Sequence, residues 1–87
     1  MPYIGQLNRE PLDKRLEPLI DYLQKVPEDT LDGQINYLVT KMLHALYKPK
    51  YFNYNRAIGV LECIKLELYR RKVAPYEDTK IKENGDV

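Results

Sequence analysis

The sequence is short of the residues on which most familiar chemistries depend. It has no serine, so a Ser-His-Asp triad is impossible. It has one cysteine, Cys63, so no disulfide can form within the chain, and a lone free thiol fits a reducing compartment. With one histidine, His44, and one cysteine, a structural zinc site would need mostly carboxylate ligands, which is not how zinc is normally held. The four glycines, Gly5, Gly33, Gly59 and Gly85, stand apart, so there is neither a P-loop nor a dinucleotide-binding glycine fingerprint. No apolar run approaches the roughly 18–20 residues of a membrane span. Met1-Pro2-Tyr3-Ile4-Gly5-Gln6 lacks the basic and apolar blocks of a secretory signal, and the chain is expected in the cytoplasm. No segment alternates with period two, so no strand is expected.

What remains is a helical protein. With 87 residues, 44% apolar and 31% charged, the chain reads as a single globular domain, 1–87. A domain this small buries only about 60–65% of its unfolded surface, so its stability margin is thin and self-association would widen it. After an arm over 1–8, Leu12, Leu16, Leu19, Ile20 and Leu23 form a first helical stripe, with Pro11 suited to a first turn and Asn8 to a cap. Pro18 interrupts that stripe at a cost of about 3 kcal/mol in a regular helix, which predicts a kink or a break there. Leu31, Ile35, Leu38, Val39, Met42, Leu43 and Leu46 mark a second helix, capped by Thr30 or Asp32 and stopped by Pro49. Residues 48–55 read as an aromatic, basic loop, with Asn53 or Asn55 capping a third helix that Pro75 ends. The expectation is an all-α fold, a small three- to four-helix bundle. Its helices lie near 10–25, 31–47 and 55–72, with a short helix or arm over 76–87. Leu38, Val39, Met42, Leu61, Ile64 and Leu68 are the predicted centre of the core.

The third helix is apolar on two sides. Ala57, Val60, Leu61, Ile64 and Leu68 share one arc. Gly59, Cys63 and Leu66 lie opposite, flanked by Arg56, Glu62 and Arg70, and Gly59 suggests a close helix crossing. A second apolar face needs either the C-terminal segment folded over it or another molecule. Gly59, Cys63, Leu66, Arg56 and Glu62 are therefore the predicted interface of a homodimer, with Cys63 near its twofold axis.

Charge is uneven. Residues 48–72 carry seven basic and two acidic side chains, giving +5, whereas the last fifteen carry two and four, giving −2. Lys65, Arg70 and Arg71, with Tyr69 and Tyr76 nearby, form a candidate site for a phosphorylated or nucleotide-like molecule. The plainer reading is a cationic helix end, with Glu67–Arg71 as an i,i+4 pair. A net charge of +1 argues against nucleic acid as the partner. A metal-dependent phosphohydrolase is disfavoured. Glu62 and Glu67 are five apart and lie about 140° apart on the helix, and Glu83-x-x-Asp86 falls in the tail. His44 and Cys63 read as structural side chains, and no metal or cofactor is called for.

Gly59-Val60-Leu61-Glu62-Cys63, Lys65-Leu66-Glu67 and the ending Tyr-Arg-Arg-x-Val-Ala-Pro-Tyr-Glu-Asp-x-Lys-Ile-x-Glu-Asn-Gly-Asp-Val over 69–87 resemble a family of small phage and prophage proteins. Met1-Pro2-Tyr3-Ile4 and Ile35-Asn36-Tyr37 are similar too, so the resemblance spans nearly the whole chain, departing mainly over 48–54. It implies an intracellular protein made in a bacterium, often from a phage genome, and no assigned activity. Three readings follow: a self-associating, non-catalytic interaction module, with a host or phage protein as a further partner; a binder of a phosphorylated small molecule; and, least supported, the hydrolase.

Overall fold

A computed structural model describes residues 3–87, and every regular element among them is helical: α1 (Gln6–Leu23), α2 (Glu28–Leu46), α3 (Tyr51–Leu68), a π-helical turn (Tyr69–Val73) and α4 (Ala74–Asn84). The all-α expectation holds. The chain divides into two units, Met1–Pro49 and Lys50–Val87.

In the first unit, α1 is one continuous helix despite Pro11 and Pro18, so of the kink or break expected at Pro18 the break is absent. Both prolines lie on exposed positions, and the carbonyls they leave without a helical donor face water rather than a core. The helix begins two residues before Asn8, with Gly5 at its N-cap, so Asn8 is helical and donates its own N–H to Gly5. This start also leaves Pro11 beyond the first turn. A four-residue connector over 24–27 leads to α2. Here Pro27, not Thr30 or Asp32, is the N-cap, and Glu28 and Asp29 meet the positive end of the helix dipole. The Thr30 hydroxyl donates to the Pro27 carbonyl at 2.7 Å, which fastens the first turn from inside the helix. Leu19, Leu23, Val26, Leu31, Leu38, Val39 and Leu43 are half-buried. Leu12, Leu16 and Ile20 of the same α1 stripe are exposed.

In the second unit, helix replaces most of the loop expected over 48–55. Lys50 is the N-cap of α3, and Asn53 and Asn55 lie inside the helix. Asn53 accepts a hydrogen bond from Arg56 at 3.3 Å, and the Arg56 guanidinium lies 6.0 Å from the centre of the Phe52 ring. Pro75 does not end the helix. Backbone angles are α-helical at Leu68, Tyr69, Val73 and Ala74, and the chain continues through the π turn into α4. In a regular helix Pro75 would collide with the Arg71 carbonyl and leave it without a donor. The wider turn just before it, in which the Ala74 N–H reaches back to the Tyr69 carbonyl, is the local adjustment.

Ala57 is the one buried residue among those described, at 8% exposure. Leu38, Val39 and Leu61 of the predicted core are half-buried. Met42, Ile64 and Leu68 are more than half exposed. Their spacing places them on an apolar face, but that part of the face is exposed.

Candidate helical interaction surface

The two groups of residues singled out by sequence both fall on the second unit, along the helix from Tyr51 to Asn84. The turn over 69–73 fixes how they are arranged. A π-helical turn inserts one extra residue, so every position beyond it is rotated back by about 100° relative to a continuous α-helix. Tyr69 and Glu77 are eight apart, which in an α-helix sets them about 80° apart around the axis. With one residue absorbed by the wide turn they act as an i,i+7 pair, two turns apart on one face. The Tyr69 hydroxyl accordingly donates to Glu77 Oε1 at 2.7 Å.

This bond has a titration signature. The carboxylate of Glu77 accepts the phenolic proton, and its negative charge opposes forming a phenolate beside it, so the Tyr69 pKa is raised above the ordinary tyrosine value. A raised pKa in the folded protein means the bond contributes stability in full below the unfolded tyrosine value near ~10. That contribution is lost as pH rises through the higher folded value. In a phenolate absorbance titration, Tyr69 is expected to ionise later than an ordinary tyrosine. Tyr69→Phe should remove that late step, and Glu77→Gln should move it towards ordinary tyrosine behaviour. An unchanged profile in Glu77→Gln would show that the pair does not form in solution.

The candidate phosphate-binding residues do not converge. Lys65 pairs with Glu62 at 3.1 Å. Arg70 pairs with Glu67 at 2.7 Å, and Arg71 reaches the same carboxylate oxygen at 3.8 Å. Tyr69, Arg70 and Arg71 are consecutive on the wide turn, so they point about 80–100° apart and share no focus. Lys80 lies over the Tyr76 ring at 5.5 Å and also pairs with Glu83 at 3.1 Å. The cations of these pairs are exposed and Glu67 is half-buried, and ion pairs open to solvent in this way contribute at most about 1 kcal/mol. The Glu67–Arg71 pair read from i,i+4 spacing is present, and Arg70 holds the same glutamate more closely. Glu77 was missed, because a spacing of eight leaves it about 80° from Tyr69 until the extra residue is counted. Pro75 was the available signal.

The candidate interface residues lie on an uncovered face. Leu66 is 56% exposed, and Cys63 is an exposed free thiol. A Cβ placed on Gly59 would meet no atom within 4 Å, so the close crossing expected there is not made within the described chain. Because α4 runs on from α3, the C-terminal segment does not fold back over this face. Beyond the π turn the rotation carries Ala74, Asp78 and Ile81 onto the arc of Leu66 and Arg70, so one face continues from Gly59 to Ile81. Among the described residues there is no cluster of three or more His, Cys, Asp or Glu placed to hold a metal, and no helix is long and apolar enough to cross a membrane.

The model of a family described as a domain of unknown function, DUF6899, matches residues 1–87. No curated protein and no solved structure matches.

Proposed function

The chain belongs to the DUF6899 family, and we propose that it is a non-catalytic helical module that acts by self-association. The observation that carries this is the state of its apolar side chains. Among the described residues only Ala57 is buried, while Leu12, Leu16, Ile20, Ile58, Ile64, Leu66 and Leu68 are exposed along helical stripes. Helices draw most of their stability from packing such a face, not from intrinsic propensity. A continuous apolar face left in water marks a binding surface, and a second copy of the chain supplies matching apolar faces. The exposed thiol of Cys63 fits a reducing bacterial cytoplasm. Together with the resemblance of residues 59–87 to phage proteins, it supports a phage or prophage gene. Against the binding of a phosphorylated molecule stand the separate directions of Lys65, Arg70 and Arg71 and their engagement with Glu62 and Glu67.

Sedimentation velocity over a wide concentration range tests the proposal. The expected result is a species of at least twice 10.3 kDa that dissociates on dilution. A folded chain that stays at 10.3 kDa at every concentration overturns it.

A further inference from the structure

We propose that Asn84 is a site of spontaneous deamidation, held in check by the hydrogen bond that closes the last turn of α4. The chain has five asparagines, and only Asn84 is followed by glycine. The other four precede Arg9, Tyr37, Tyr54 and Arg56, whose side chains crowd the backbone nitrogen, and all four lie inside α1, α2 or α3. Asn84 is the exposed last residue of α4. Gly85 follows it, also exposed, with a φ of 89° that favours glycine.

The chemistry needs nothing beyond water. The Gly85 backbone nitrogen gives up its proton to solvent hydroxide and attacks the side-chain Cγ of Asn84, forming a C–N bond. The tetrahedral intermediate collapses with cleavage of the Cγ–Nδ2 bond, and that nitrogen leaves as ammonia after taking a proton from water. The five-membered succinimide then adds water at one of its two carbonyls. Cleavage at Cγ gives aspartate, and cleavage at the backbone carbonyl gives isoaspartate. The balance is one water in and one ammonia out, with nothing oxidised or reduced.

The fold sets the rate. The Gly85 N–H donates to the Ile81 carbonyl at 2.8 Å, so its proton is engaged. The helical backbone of Asn84 must also rotate before the five-membered ring can close. Both restraints lapse when the last turn frays, and helix ends are where local opening costs least. This turn is lightly held. It has no side-chain cap bond at its start, and the Lys80–Glu83 pair across it is exposed. Conversion runs in one direction. It places a carboxylate at the negative end of the helix dipole, between Glu83 and Asp86. In the isoaspartate form the backbone also gains a methylene and cannot keep the helical pattern. Both products loosen the turn that had protected the asparagine.

The full chain, incubated at mildly alkaline pH and digested, is followed by mass spectrometry. The expected result is replacement of an amide NH2 by OH, confined to the peptide holding residues 83–87, as a mixture of aspartate and isoaspartate. Asn8, Asn36, Asn53 and Asn55 should stay intact. The same chain unfolded in guanidinium should convert roughly tenfold faster or more, since the protected fraction is then lost. Gly85→Ala should convert far more slowly than wild type in guanidinium, where folding plays no part. Conversion of Asn84 no faster than that of the other four asparagines overturns the site. Equal rates in the folded and unfolded chain overturn the restraint by the Gly85–Ile81 bond.

Discussion

Ala57→Glu is expected to lower the melting temperature by about 15 °C or more, and in dilute solution to leave much of the chain unfolded at 37 °C. Ala57 is the one buried residue among those described, at 8% exposure. Among the described residues no polar side chain is buried, so a glutamate at 57 finds no established partner. Removing a carboxylate from water without a partner costs several kcal/mol even after local relaxation. For a domain of 60–100 residues, each kcal/mol shifts the midpoint by roughly 4–8 °C. A chain of this length has only about 4–13 kcal/mol of total stability, so the substitution removes a large fraction of it. Asn55→Glu adds the same charge at an exposed position two residues away, and should change stability by about 0.5 kcal/mol or less. Thermal melts followed by helical circular dichroism decide the matter. A difference of only a few degrees between Ala57→Glu and Asn55→Glu would show that position 57 is not buried in solution.

The positions of α2 and α3 were legible in the sequence because apolar residues at three- and four-residue spacing are a direct image of a helical face. What that spacing does not carry is whether anything lies against the face. Leu38 and Met42 belong to one stripe, yet Leu38 is half-buried and Met42 exposed. Capping preferences misled for a related reason. Asn8, Thr30 and Asn53 are good caps, yet all three lie inside helices whose ends are set by Gly5, Pro27 and Lys50, none with a side-chain cap bond. Proline was informative only in context. Pro49 lies in a true connector, Pro18 is tolerated on an exposed helix side, and Pro75 is accommodated by a wider turn. That turn is why the candidate surface was only half legible. The Gly59–Leu66 face and its continuation through Arg70 and Ala74 were visible at four-residue spacing on the wheel, but bringing Asp78 onto that arc depends on one extra residue that an even helical wheel does not count.

Pro75→Ala should therefore have two effects of opposite sign. Proline costs about 3 kcal/mol relative to alanine in a helix interior. The wide turn before Pro75 already relieves part of that cost, so the substitution should stabilise the helix over 51–84 by about 1–3 kcal/mol, read as a higher melting temperature in the dissociated chain. Alanine restores a donor for the Arg71 carbonyl and removes the clash that the π turn relieves. The turn should then close to an ordinary α-helical one. Closing it rotates everything from Ala74 onward by about 100° with respect to α3. Tyr69 and Glu77 return to a true spacing of eight, their 2.7 Å hydrogen bond is lost, and Tyr69 should titrate as an ordinary tyrosine. Asp78 turns to about 80° from Arg70 and 120° from Leu66 while Ile81 stays near both, so association through that face should weaken even though the single chain has become more stable. Melting at low concentration, the absorbance titration and sedimentation velocity read the three consequences separately. A Pro75→Ala chain that gains stability but keeps the late tyrosine step would show that the π turn is held by something other than the proline.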